Sequence, residues 1–489
     1  MKINKGGATI TVAVTLITLG LVTSSALTQA ALPPVNLIYL YNGSGAPRDV
    51  KAVQDAMNVI LKKKINATVE LRPFDWGSYE QKLNLTFASG ERCDLAFTAS
   101  WLNYPLNASK GNFLPIDNLL PKYAPNLYKF YSAAQWNGVK VQGKIYGAIA
   151  NTFTPNSYGF ITRADLAKKY NLNLARIKTY EDLTPYLEQL KGKEQIVPFG
   201  FTRPVFEYFG WDPLLPWGLS VRYDDAQLKV FNGLESDEFR KFVKLTRSWH
   251  EAGYTPKEPV SLSDAQAGLR AGKYGIYIHA WSPGSNGPSA YKNLFGRDVV
   301  GKSLSPQFIS STAATSNITS VCRTSPNPER SLMFLELMHT DPQLYTLMTK
   351  GIEGKHWVWK DKAKKIIGLP DGVTVNNSGY SPQTDWMFGA NKGFYYTSPE
   401  DIIEQRQGLQ ISKNAKTSVA LGFALNTDTI KSQVAQMNAT FDELVLPLIQ
   451  GIADPDVALP ILYARLKAVG GDAIVTEAQR QIDEWKKTK

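Results

Sequence analysis

Four histidines and two cysteines are too few and too scattered to hold zinc or an iron–sulfur cluster in this 489-residue chain. No Asp-rich loop has the spacing of a calcium-binding EF-hand. There is no phosphate loop and no nucleophile elbow. The glycine-rich run Gly43-Ser-Gly-Ala-Pro-Arg48 lacks the third glycine of a dinucleotide fingerprint. The formal charge is +11, yet no cluster of Lys and Arg interleaves with aromatics, so nucleic acid is not an expected partner. These absences leave no cofactor and no metal in the expectation, and they favour binding over catalysis.

The composition is otherwise globular, at 43% hydrophobic and 20% charged residues. The first thirty residues read as a targeting segment. Lys2 and Lys5 precede an uncharged, mostly apolar run from Ala8 to Val22, and Thr28-Gln29-Ala30 places small residues where a signal peptidase reads. The run is short for a membrane span. Cleavage after Ala30 and export are therefore expected, and removal of the two lysines takes the charge from +11 to +9. Neutral and anionic ligands both stay open. An oxidising compartment would permit Cys93 and Cys322 to bridge, but their sequence positions do not decide it.

From residue 35 the pattern is strand, helix, strand, helix, strand: residues 35–41, 48–64, 67–71, 79–88 and 94–99. This is the signature of a parallel sheet between helices, an α/β fold. Ligands of such sheets bind outside the carboxyl ends of the strands. Two loops become candidates there, residues 42–45 with Asn42, Ser44 and Gly45, and residues 100–104 with Trp101 and Tyr104. Asn42, Ser44 and Gly45 also precede a helix, whose free N–H groups suit polar or anionic groups.

Aromatics are abundant, with 11 Trp and 23 Tyr. Many stand beside Gly, Pro, Asn or Ser rather than in apolar runs. Residues 197–217 are dense in aromatics and proline and read as loop-rich. Trp211, Trp217, Trp281, Trp357 and Trp386 are candidates to cover the C–H faces of a sugar, with Arg203 and Asp212 to take its hydroxyls or a carboxylate. Packing in a core competes with that reading at each single Trp. Trp281 is favoured together with Trp101, because each directly follows a strand. Trp249 and Trp485 lie inside helices and are expected to pack. A hydrolase would need two positioned carboxylates, such as Glu207 and Asp212, and spacing alone does not exclude it.

Residues 325–357 carry two helix starts. Asn327-Pro328 and Asp341-Pro342 each place a capping residue before a proline that suits the first helical turn, and Gly351 suits a left-handed end. The succession of a Pro-Glu-Arg helix, an Asp-Pro helix and Gly351-Ile-Glu-Gly-Lys-His356-Trp357 resembles extracellular solute-binding proteins of ABC importers, most of all the LipO-like group that handles oligosaccharides. Ala88-Ser-Gly-Glu-Arg-Cys-Asp-Leu-Ala-Phe-Thr98, Gly143-Lys-Ile-Tyr-Gly147, Trp386-Met-Phe-Gly-Ala-Asn-Lys392 and the helical end at 477–485 resemble the same group, so the likeness covers about residues 35–489.

That resemblance implies a two-lobed periplasmic-binding-protein-like fold of type II, with a hinge and a C-terminal helical region. The expected parts are a signal peptide at 1–30, a first lobe of 31–153 and 274–323, a second lobe of 154–273 and 324–416, and helices at 417–489. It implies no enzymatic activity, an oligosaccharide ligand, neutral or anionic, and ABC permease subunits as partners of a monomer. An oligopeptide-binding protein is the alternative within the same fold. The LipO-like group carries a lipid-modified cysteine after its signal. This chain has none there, so no lipid anchor is expected.

Overall fold

The computed structural model describes residues 32–487, apart from 44, 45, 76, 77, 151–154, 156, 201–205, 216, 261–264, 266, 267, 270, 284–286, 376, 383 and 390–392. The expected signal peptide and its cleavage site lie outside the described residues.

The chain opens with β1 (Val35–Gly43), α1 (Val50–Ile65), β2 (Ala67–Asp75), α2 (Tyr79–Ser89) and β3 (Leu95–Thr98). Seven consecutive residues of β1 are buried, as a strand covered on both faces requires. In α1, Val53, Met57, Leu61 and Ile65 recur at helical spacing and turn inward. β1 runs parallel to β2 and β3. β4 (Gly147–Ile149) follows, and the chain then passes to a second sheet. That sheet comprises β5 (Tyr158–Arg163), β6 (Val197–Gly200), β7 (Tyr274–Ala280) and β8 (Val299–Ser303), in the order β8-β5-β7-β6. The chain returns as β9 (Ile318–Val321), which lies antiparallel between β3 and β4, so the first sheet reads β2-β1-β3-β9-β4.

Two helices follow, α3 (Pro328–Thr340) and α4 (Pro342–Lys350). Asp341 caps α4, its Oδ1 accepting from the backbone N–H of Gln343 and Leu344 at 2.9 and 3.0 Å. Asn327 makes no side-chain cap at α3. Gly351 has φ 83° and ψ −150°, not the left-handed helical turn expected. A Cβ there would lie 2.4 Å from Nδ1 of His356, so only glycine fits.

The allocation of segments to lobes differs from expectation in two places. Residues 274–303 join the second sheet, since β7 pairs with β5 and β6. Residues 324–395 join the first. Leu332, Phe334 and Leu335 of α3 pack in one cluster with Leu37 and Val53, and Lys64 of α1 reaches Asp341 at 2.6 Å. An apolar strand is compatible with either sheet, and only its partners decide. The chain therefore changes lobe at 150–157, at 304–317 and at 397–398, the last two in place of the changes expected near 273 and 323. After the third change the helix Pro399–Asn414 rests on Pro288–Phe295, with Glu404 accepting from Ser289 N and Oγ at 3.0 and 2.7 Å. The C-terminal helices bury Met437, Leu448, Leu462, Ile474 and Ile482 in the second lobe's cluster.

Cys93 and Cys322 form a disulfide, Cα to Cα 5.7 Å. Register explains the meeting. Leu95 of β3 faces Val321 of β9, and the Cys322 N–H donates to the Asp94 carbonyl at 3.0 Å, which brings Cys322 diagonally beside Cys93. The bond closes a loop of 229 residues, for which the chain-entropy argument gives a stabilisation of about 5 kcal/mol. No described helix is long and apolar enough to cross a membrane.

Candidate functional site

The carboxyl ends of β1 and β3 point to one edge of the first sheet, and the chain leaves both strands there through polar and aromatic residues. After β3, a short turn at Ser100–Leu102 lifts Trp101 out, 47% exposed. Its Nε1 donates to the carbonyl of Ser316 at 3.0 Å. A second turn, Asp385–Met387, brings Trp386 to the same place, 41% exposed. The two indoles stand 6.3 Å apart at 48°, and both rest on Phe97 at 5.9 Å. A pyranose needs contacts of about 4 Å on each face, so it does not fit between rings this close. The pair acts instead as one apolar platform with its outer surface open.

Polar groups flank the platform. Leu40 faces Ala96, so two residues further on Asn42 and Thr98 share a face at the ends of their strands. Asn42 Oδ1 and Thr98 Oγ1 are buried without a hydrogen-bond partner, and so is Thr384 Oγ1, whose methyl lies 3.8 Å from the point a Cβ of Gly43 would occupy. Buried polar atoms are seldom left unpaired. Asp385, beside Trp386, is met by Lys350 at 2.6 Å and by the Tyr395 hydroxyl at 2.7 Å. Asp49 is met by Lys355 at 2.9 Å and by His356 at 3.1 Å. Lys355 and His356 together hold the Asp49 carboxyl down at about 2. Nδ1 of His356 accepts from the Ile352 N–H at 2.8 Å, so Nε2 carries the proton and donates to Asp49. Burial lowers the pKa of His356 and keeps it neutral. Its role is structural.

Of the residues singled out from the sequence, Asn42, Trp101 and Trp386 converge on this edge. Ser44, Gly45 and Arg203 lie outside the described residues. Tyr104 does not belong. It is fully buried, and its hydroxyl donates to the Val139 carbonyl at 2.7 Å. Trp357 is packed in the first lobe, with Nε1 donating to the Gly351 carbonyl at 2.9 Å. Trp211 and Trp217 are 0% and 2% exposed, and Trp211 stacks on Phe206 at 5.7 Å. They form the second lobe's core. Asp212 is buried beside them, and burial pushes its carboxyl up to about 6. Trp281 ends a strand of the second sheet, not the first. It is half-buried, parallel to Tyr291 at 6.2 Å, and its N–H donates to the Ser157 carbonyl at 2.7 Å beside the first crossing. Thr98 and Thr384 were not singled out. The parity of Thr98 with Asn42 across β1 and β3 is the signal that finds it. Thr384 comes from a distant loop and has no such signal.

An exposed aromatic pair thus lies at the carboxyl edge of the first sheet, tied by Trp101 to the second crossing at Ser316. Residues 56–352 match the bacterial extracellular solute-binding protein family. The chain belongs to that family. Residues 419–487 match a domain of unknown function, DUF3502. A carbohydrate ABC transporter substrate-binding protein of Streptococcus pneumoniae serotype 4 is 29% identical over 463 residues, covering 93% of this chain and 91% of that protein. The crystal structure of the N-glycan transport solute binding protein NgtS from Streptococcus pneumoniae superposes with a TM-score of 0.79 at 26% identity, over 94% of this chain and 100% of that one. The same protein in complex with Man5GlcNAc gives 0.74 at 28%, over 94% and 99%. Alginate-binding protein AlgQ2, at 16% identity and a TM-score of 0.64, shares the fold. This solute-binding protein thus has the two-lobed α/β architecture expected, and membership of an extracellular family carries export with it.

Proposed function

We propose that this protein captures an oligosaccharide in the cleft between its lobes and delivers it to the permease subunits of an ABC importer, without chemistry of its own. The observation that carries the reading is the exposed Trp101–Trp386 platform. Pyranose rings present C–H faces, and stacking them on indole removes apolar surface from water while leaving the hydroxyls to polar neighbours. Asn42, Thr98 and Thr384 supply such neighbours. NgtS, solved with Man1GlcNAc and Man5GlcNAc, supports the ligand class, and the carbohydrate ABC transporter relative supports the partner. Closure of the lobes about the three crossings would hold the ligand. The mature protein begins at Ala31, carries no lipid and is a monomer in the periplasm, in keeping with small residues before Ala31 and no cysteine near it.

A thermal-shift panel of neutral oligosaccharides, uronate oligosaccharides and oligopeptides is the test, since a ligand that binds only the folded state raises its melting point. An oligosaccharide should raise the melting temperature, and the sugar concentration should be unchanged after prolonged incubation. Stabilisation by peptides alone would reverse the ligand class, and cleavage of the sugar would reverse the non-catalytic reading.

A further inference from the structure

The second crossing, residues 304–317, is fastened to different lobes at its two ends. On the second-lobe side, Leu304 and Ser305 donate to the Tyr158 carbonyl at 2.8 and 2.9 Å. Phe308–Ile309 pairs in parallel with Lys416–Thr417, and Phe308 stacks on Tyr223 at 4.5 Å. On the first-lobe side, Ala313 and Ala314 are buried in the first lobe's cluster. The Ser316 carbonyl receives Trp101 Nε1, and the Asn317 carbonyl receives the Ala150 N–H at 3.0 Å. Ile309, whose backbone pairs with Thr417, also packs against the first lobe's cluster, so the change from one lobe to the other falls between Ile309 and Ala313.

Asp212 sits at that boundary. Its Oδ2 accepts the Ser311 backbone N–H at 2.8 Å, and its Oδ1 accepts the Ser311 hydroxyl at 2.9 Å. The Ser418 hydroxyl, directly after the Lys416–Thr417 strand that pairs with Phe308–Ile309, donates to the same carboxylate. Asp212 is itself on a second-lobe strand, Trp211–Pro213, paired with Leu219–Arg222. One fully buried carboxylate thus ties the second crossing, and the strand paired with it, to the second lobe.

We infer that Asp212 is a positioning residue for ligand capture: it pins the second crossing, and the strand paired with it, to the second lobe, so that closure bends the chain between Ile309 and Ala313 and moves Ser316, and with it the Trp101 platform, as one body with the first lobe. The sequence suggested a ligand contact for Asp212. Instead, two of its three donors come from Ser311 of the second crossing and the third from Ser418 beside it. Both carboxylate oxygens accept here, one of them from a backbone N–H that cannot accept in return. An amide in its place turns an N–H₂ toward the Ser311 N–H or the Ser311 hydroxyl and loosens that pin. This assignment rests on the capture reading for its purpose, but not for its test.

The test is small-angle scattering of the ligand-free full-length protein, parent against Asp212→Asn and Ser311→Ala, followed by titration with an oligosaccharide that stabilises the parent. The variants should melt cooperatively, show a broader ligand-free size distribution than the parent, and bind roughly tenfold more weakly, because a smaller fraction is held in the competent arrangement. Ser311→Ala removes one donor only and should give a smaller change of the same sign. It keeps the test open should Asp212→Asn not fold. Ligand-free scattering and affinity both equal to the parent in Ser311→Ala and any folded Asp212→Asn would overturn the pin. A change in ligand-free scattering with no sugar binding by any form would uphold the pin and remove the proposed function.

Discussion

Two aromatic regions of this protein look alike in sequence and behave in opposite ways. The second lobe's run around Phe206, Trp211 and Trp217 is rich in Gly and Pro, and both tryptophans are buried. The first lobe's Trp101 and Trp386 lie in turns of two distant segments, and each is more than two-fifths exposed. A dense aromatic run supplies its own cover. Phe206, Phe209 and Phe231 close around Trp211 at 5.7, 4.7 and 5.5 Å. A lone Trp just past a strand end has fewer such neighbours to cover it. Position in the fold, rather than the aromatic count, separates an exposed aromatic surface from a core.

The largest effect should come from the buried member of the comparison. Trp211→Ala removes a fully buried indole and should cost about 3–5 kcal/mol of stability. Gly233 packs so closely on Trp211 that a Cβ there would lie 2.3 Å from the ring, so this part of the second lobe has been shaped to the indole. Denaturant melts should show the loss, while calorimetric titration of the folded fraction should show parental affinity. A large affinity loss without destabilisation would place Trp211 in the cleft and break the comparison.

Asp212 adds a titration to that core. Burial raises its pKa from 3.8 to about 6, so the ionised form is disfavoured in the folded state. Below 3.8 the group is protonated folded and unfolded alike, and it costs nothing. As the pH rises toward 6 the unfolded chain releases its proton first and stability falls. Above 6 the loss levels off at about 3 kcal/mol, near 1.4 kcal/mol per pH unit. The stability difference between the parent and Asp212→Asn should therefore shift in the parent's favour as the pH falls from 7 to 4. Urea melts across that range check the sign, and a difference that does not vary with pH would show that the carboxyl titrates normally.

Next comes the exposed pair. Trp101→Ala should lose on the order of 100 Å2 of sugar contact, or about 2–3 kcal/mol at ~25 cal/mol per Å2. That is roughly a 30- to 150-fold weaker affinity. Trp386→Ala should fall in the same range, and the double variant should lose less than the sum, because the rings form one surface. Each single variant should melt close to the parent.

How much of this was readable in the residues follows from the same contrast. The alternation from Val35 to Thr98 specified a parallel sheet and placed its carboxyl edge, so Asn42 and Trp101 could be found. Trp386 was found through a family-like segment, and its meeting with Trp101 could not be read, since 285 residues separate them in the chain. Asp341 announced its cap, because capping is a local hydrogen bond. The lobe of Tyr274–Ala280 was misread because an apolar strand carries no mark of its partners. The disulfide was open for a similar reason, as it depends on the register of β3 against β9.

Trp281 is the case between the two regions, and it carries the smallest expected effect. It ends β7 at the edge nearest the first crossing, as a cleft residue of the second lobe should, yet its ring lies parallel to Tyr291 at 6.2 Å. A Cβ on Gly301 would come within 2.7 Å of the same indole. With part of its surface already committed to packing, it offers a ligand less area than Trp101 does. If about 40 Å2 remained to be covered on binding, Trp281→Ala would weaken affinity by about 1 kcal/mol, roughly fivefold. The lost packing should also lower stability by a comparable amount, so the variant should show both small effects at once. Calorimetric titration and a thermal melt of the same preparation measure the two together. A loss of affinity as large as that of Trp101→Ala, with an unchanged melt, would mean that the second lobe contributes an equal face to the ligand and that the cleft is lined by tryptophan on both sides.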